Sequence, residues 1–280
     1  MTGGMAGIGS YCFRYSARRK DNPMDTLAFL EEIARLGLKR ALICENLNYS
    51  NCDDSYIRKL AETAALYNIT VEVGARGSSR ENIERHIHIA KILGAKLIRI
   101  VLGDVSETQH KDSHTIKAEA LEAIRAVLPQ LAKADLCLGI ENHFDLPAAE
   151  LVDLASQINS PRVGLIFDST NCLGLIEKPL DVLLMMKGRL LSVHLKDYQC
   201  KKTDGGYIFS GVDLGEGDLD LAAVIKTAIT YNPLASFIVE YNMKPPESMS
   251  ENGLFNWERE RVIKNVSAAN KAVEEYGGIK

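Results

Sequence analysis

The chain has six cysteines but no C-x-x-C pair, so a thiolate zinc site has no basis in it. No stretch of about 18 residues is apolar and uncharged enough to cross a bilayer. Met1 to Gly9 has neither a basic n-region nor an apolar h-region, and does not read as a secretory signal. Neither sign of charge dominates: 33 Lys+Arg stand against 37 Asp+Glu, for a net charge of −4, without blocks of like charge. This excludes the basic field that a nucleic-acid partner requires, and any charged interaction tail. No Gly-x-Gly-x-x-Gly follows the first strand and no Walker A sequence occurs, so nucleotide-binding folds lose support. What is present is ordinary globular composition, 46% hydrophobic and 25% charged. Cys12, Cys44 and Cys137 fall in apolar runs and read as buried free thiols of a reducing compartment. The expectation is a cytoplasmic protein.

Short apolar runs alternate with longer stretches of helical period along the whole chain. The strand runs are Ile8 to Phe13, Lys39 to Cys44, Ile69 to Val73, Lys96 to Leu102, Leu136 to Ile140, Val163 to Phe167, Leu190 to Leu195 and Phe237 to Val239. Helical patterns follow at Thr26 to Leu36, Asp53 to Tyr67, Arg80 to Leu93, Ser113 to Lys133, Pro147 to Ile158, Pro179 to Met186, Leu219 to Ile229 and Trp257 to Glu275. Lys196 to Asp218 reads as a long Gly-rich loop, a candidate lid or interface. Several strands are apolar on both faces, as a helix-covered parallel sheet requires. Eight such units without a linker predict a single (β/α)8 TIM barrel over residues 1–280, with a doubly wound open sheet as the competing architecture.

Active sites of such barrels lie at the C-terminal strand ends. Four successive strands finish there with metal-competent side chains: Glu141, Asp168, His194 and Glu240. Three carboxylates gathered in one place need a cation or shared protons. Oxygen-rich ligands with one imidazole suit one divalent ion, Mn²⁺ best, with Co²⁺, Mg²⁺ or Zn²⁺ as alternatives. His143 shares the strand face of Glu141 and either orients it or meets substrate. Lys196 either pairs with Asp197 or Glu141, or contacts substrate. Asn171 either binds substrate or caps the turn after it. Arg99 reads as a partner of barrel carboxylates such as Glu141 or as a substrate contact. His86 and His88 read as surface residues, and His110 and His114 as a solvated loop.

The segments Ile140-Glu141-Asn142-His143, Phe167-Asp168-Ser169-Thr170-Asn171, Val193-His194-Leu195-Lys196-Asp197, Gly215-Glu216-Gly217 and Val239-Glu240 resemble the sugar phosphate isomerase/epimerase family of xylose-isomerase-like barrels. Arg99 sits in a strand-four run that also resembles it. The resemblance covers nearly the whole chain. It implies that Glu141, Asp168, His194 and Glu240 bind one divalent metal and that Glu141 and Glu240 move a proton through a metal-bound enediolate. His143 joins them as a catalytic candidate, and His143, Lys196, Asn171 and Arg99 are candidates for substrate binding. The implied activity is isomerisation or epimerisation of a free sugar, cyclitol or oxo-sugar. A lyase of the same group, an inosose-type dehydratase or a 3-oxo-glycoside C-deglycosidase, is the alternative. Ketose 3-epimerases of the group carry His where Asn171 stands, which moves the expectation toward oxo-sugar enzymes. The implied partners are a small carbohydrate substrate and further subunits, identical ones or, for a deglycosidase, different ones.

Overall fold

The structure, a computed structural model, describes residues 6–103 and 112–277. Eight parallel strands close into a barrel: β1 (Gly7–Gly9), β2 (Arg40–Ile43), β3 (Thr70–Arg76), β4 (Leu97–Val101), β5 (Cys137–Glu141), β6 (Val163–Asp168), β7 (Leu190–Leu195) and β10 (Ser236–Val239). Between the last two lies a hairpin of β8 (Asp197–Thr203) and β9 (Gly206–Val212). The outer ring is α1 (Thr26–Arg35), α2 (Asp54–Leu66), α3 (Arg80–Leu93), α4 (Ser113–Ala134), α5 (Ala148–Ile158), α6 (Pro179–Met185), α7 (Leu221–Tyr231) and α8 (Glu251–Gly277). Strand β1 pairs with both β2 and β10, so the sheet has no edge and the open-sheet alternative is excluded.

Local sequence sets the helix starts. Asp25, Asp53, Ser79, Asp112 and Asp220 each accept a hydrogen bond from the backbone N–H three residues on, satisfying a donor the helix cannot. The α4 stripe of Ile116, Ala120, Ile124, Val127 and Leu131 is buried against the barrel, as its spacing predicts.

Several expectations are corrected. Strand one stops at Gly9, and Ser10–Phe13 coils into a 3₁₀ turn instead of extending. Gly9 lies against the end of β10, where a Cβ would stand 2.5 Å from Glu240 Oε1. The turn is held by Ser10, whose hydroxyl donates to Asn46 Oδ1 at 2.6 Å and accepts from the Cys44 N–H at 2.9 Å. The supposed loop after Lys196 is largely the β8–β9 hairpin, turned at Asp204-Gly205. The last helix begins at Glu251 rather than Trp257. His86 is buried, its Nδ1 on the Asn82 carbonyl at 2.7 Å and its ring edge-on to Tyr49. His88 is exposed and pairs with Asp54 at 2.8 Å. His114 is exposed in the first turn of α4, and His110 lies outside the described residues. Cys137 is only half-buried, because β5 begins there at the rim of the barrel.

One irregularity positions the site. The β6–β7 register passes from Leu165 opposite Leu190 to Ile166 opposite Ser192, so β7 carries one extra residue there. Beyond this bulge Asp168 stands directly opposite His194.

Ile124 is fully buried under α4. Ile124→Ala is expected to lower the unfolding free energy by about 2–5 kcal/mol, measured by urea titration, since the cavity left cannot collapse fully.

Candidate active site

Glu141 ends β5, Asp168 ends β6 and His194 sits one residue before the end of β7. Each offers one ligand atom, and these three atoms lie within 4.8 Å of one another. All three side chains are buried. Glu240, just after β10, is the fourth expected ligand and does not join that group. It faces Lys196 instead, with Oε2 at 3.0 Å from Nζ.

The charges are balanced by two cations. Arg99, on β4, donates from Nε to Glu141 Oε2. Its neighbour across the sheet is Gly139, which has no side chain to obstruct that reach. Lys196 Nζ lies 2.6 Å from Asp168 Oδ2 as well as beside Glu240. This corrects the expected pairing of Lys196 with Asp197 or Glu141. Asp197 is engaged elsewhere: its carboxylate accepts backbone N–H bonds from Gly215, Gly217 and Leu219. That accounts for Gly215-Glu216-Gly217. Gly215 has φ +85°, and a Cβ on Gly217 would lie 2.2 Å from Asp197 Oδ1.

Asn171 does not cap its own turn. Its Nδ2 donates to Glu141 Oε1 at 3.0 Å and to the Asn142 carbonyl. Asn142 in turn clamps the two strand ends, accepting from the Asp168 N–H at 2.7 Å and donating to the Asp168 carbonyl at 3.0 Å. Asp168 Oδ1 accepts from the N–H groups of Thr170 and Asn171, which leaves Oδ2 turned inward. His143 approaches Asp145 at 3.8 Å and packs edge-on to Phe144.

Burial pushes the Glu141 carboxyl up, but the Arg99 guanidinium and then His194 outweigh it and hold the acid well below the usual range. Burial likewise raises Glu240, and Lys196 and His194 reverse this to a net lowering. Burial lowers His194 and Lys196, yet Glu141 for the first and Asp168 with Glu240 for the second raise both above their ordinary values.

A divalent cation fits this arrangement. Both ring nitrogens of His194 and Glu240 Oε1 are buried without a hydrogen-bond partner among the described residues, and Asp168 Oδ2 meets the Lys196 ammonium alone. His194 Nδ1 lies 3.3 Å from Glu141 Oε2, close but not aligned as a hydrogen bond. Such orphaned acceptors are costly unless something binds them. Above them opens a cavity of about 350 Å³, the size of a small ligand site. Glu141, Glu240, Lys196, Asn171, Arg99 and His143 all border it, while Asp168 and His194 are wholly buried.

Sequence reasoning missed Glu45 and Arg76. Arg76 ends β3 and donates from Nε to Glu45 Oε1 at 2.7 Å; Tyr11 donates its hydroxyl to the same oxygen at 3.0 Å. The strand-end rule that found Glu141 finds these too when applied to strands two and three.

The chain matches the model of the xylose isomerase-like TIM barrel family over residues 9–264, and it belongs to that family. It is 28% identical over 224 residues to the 3-oxo-isoapionate decarboxylase of Pectobacterium atrosepticum, covering 79% of each chain. Among solved structures it is similar to the IOLI protein with a bound zinc atom, with TM-score 0.73, 16% identity and coverage of 97% of this chain and 99% of that one. An L-ribulose 3-epimerase gives TM-score 0.72 at 15% identity, over 98% of this chain and 96% of that one. Proteins named as an epimerase and as a decarboxylase are thus both similar to this chain.

Removing Arg99 strands a buried carboxylate. Arg99→Met is expected to cost the metal-free protein roughly 3–5 kcal/mol of stability by urea denaturation. A group whose folded pKa is raised, as His194's is, stabilises fully below its ordinary value of 6.5 and loses that contribution as pH rises through the folded value. With chelator present, the melting temperature is therefore expected to fall above pH 6.5, and His194→Asn is expected to remove that limb of the profile.

Proposed function

We propose that the protein is a divalent-metal-dependent lyase acting on an oxo-sugar acid. It breaks the bond between a carboxylate and the carbon beside a ketone, and that carbon then takes a proton. Glu141, Asp168 and His194 would hold the cation, with Glu240 at the cavity edge. Mn²⁺ suits the donor set best, with Co²⁺, Mg²⁺ and Zn²⁺ also compatible. A bound cation polarises the carbonyl, so that the electron pair of the broken bond has somewhere to go.

One asymmetry carries this reading. Glu141 has both oxygens engaged, Oε2 by Arg99 and Oε1 by Asn171. Glu240 keeps Oε1 without a partner, and Lys196 stands at its other oxygen. Of the two glutamates, only Glu240, beside Lys196, therefore keeps an oxygen free to handle a proton. Loss of carbon dioxide followed by a single protonation needs one. The 3-oxo-isoapionate decarboxylase of P. atrosepticum supports the same choice. The second reading is isomerisation or epimerisation of a free sugar, cyclitol or oxo-sugar. It is favoured by Glu141 and Glu240 both bordering the cavity, and would use them in turn to remove and return a proton.

The test incubates Mn²⁺-loaded protein in D₂O with 3-oxo sugar acids, inososes and ketoses, followed by NMR and carbon dioxide detection. A lyase releases carbon dioxide and leaves one deuterium on the product carbon. An isomerase exchanges deuterium without loss of carbon. Glu240→Gln is expected to lower turnover at least about 100-fold with metal still bound. Glu141→Gln is expected to weaken metal binding. Failure of chelator-stripped protein to take up one divalent ion per chain would overturn both readings.

A further inference from the structure

Four cationic side chains border the cavity: Arg14, Arg76, Arg99 and Lys196. Three are matched by carboxylates. Arg76 is held by Glu45, Arg99 by Glu141 with Glu45 3.7 Å away, and Lys196 by Asp168 and Glu240. Arg14 differs. Its guanidinium donates to Asn242 Oδ1 at 2.7 Å and to the Tyr241 carbonyl, both neutral acceptors. Among the described residues it forms no ion pair, and its Nε is buried without an acceptor. The rings of Tyr15 and Tyr241 stand 6.0 Å from its central carbon.

Neutral dipoles and aromatic faces fix the direction of a guanidinium without cancelling its charge. A fork held this way stays free to attract an anion, and cavity walls of low dielectric strengthen that attraction. Arg14 is also tied to the two residues that follow Glu240, so its position is referred to the reacting end of the cavity.

We propose that Arg14 is a specificity-determining residue that selects substrates carrying an anionic group, a carboxylate or a phosphate, over neutral sugars. The proposal rests on the reading of this cavity as a carbohydrate active site, but not on which bond is broken there.

Titration calorimetry on Mn²⁺-saturated protein would use three probes of one skeleton: D-glucitol, D-gluconate and D-glucitol 6-phosphate. The wild type is expected to bind at least one anion about tenfold or more tightly than D-glucitol, the scale of a charge-assisted hydrogen bond. Whichever anion is preferred identifies the group. The preference is expected to shrink at about 0.5 M NaCl through screening, to vanish in Arg14→Gln, and to survive in part in Arg14→Lys, which keeps the charge. No preference in the wild type, or one unchanged in Arg14→Gln, overturns the proposal. Metal content measured on the same samples separates the two readings. Loss of metal stoichiometry counts against the active site itself, whereas full metal occupancy without anion preference counts against Arg14 alone.

Discussion

The mouth of this barrel depends on gathering three buried carboxylates around two cationic side chains. Glu141, Asp168 and Glu240 are all buried at the ends of β5, β6 and β10, with only β7 between the last two. Like charges so placed would ordinarily share protons or force one another apart. Arg99 from β4 and Lys196 from just after β7 prevent this, each reaching a different carboxylate. Their long side chains reach the group from β4 and from the end of β7, so the carboxylates are fixed in direction before any ligand arrives. Preorganised charge of this kind is what an electrostatic site requires, because nothing has to reorient when a substrate enters.

The barrel was legible because its signals are local and repeated. The apolar strand runs and the helical stripes, such as Ile116 to Leu131 on α4, each act within a few residues. The strand-end rule likewise placed Glu141, Asp168 and His194 together, since the C-terminal ends of parallel strands all face one way. What escaped was set by contacts distant in sequence. Lys196 chooses Asp168 over Asp197 because the glycines at 215 and 217 bring three backbone donors to Asp197, which no spacing near residue 196 reveals. Position 9 has no room for a Cβ because Glu240, more than two hundred residues away, fills that space. The hairpin was missed for a different reason. Asp204-Gly205 is a strong two-residue turn signal, but the glycines around it outweighed the alternation on either side.

Glu141 and Glu240 are the same residue type at equivalent strand ends, yet their surroundings give them different capacities. Asn171 and Arg99 occupy both oxygens of one, and Lys196 occupies a single oxygen of the other. The identity of these strand-end residues alone does not distinguish one chemistry from another. The partners of each carboxylate are where the differences can lie, and they come from residues such as Asn171 that lie outside the Glu141, Asp168 and His194 group.

The extra residue in β7 has a consequence for how such barrels diversify. Leu191 is the residue with no partner on β6, so deleting it would straighten the strand and still leave His194 opposite Asp168. Deleting Val193, beyond the bulge, would instead move the imidazole one place back, opposite Phe167 and on the other face of the sheet. Composition would hardly change, yet the imidazole would be gone from beside Asp168. Two deletions only two residues apart in strand seven thus have opposite consequences, one silent for the site and one that dismantles it while the fold persists.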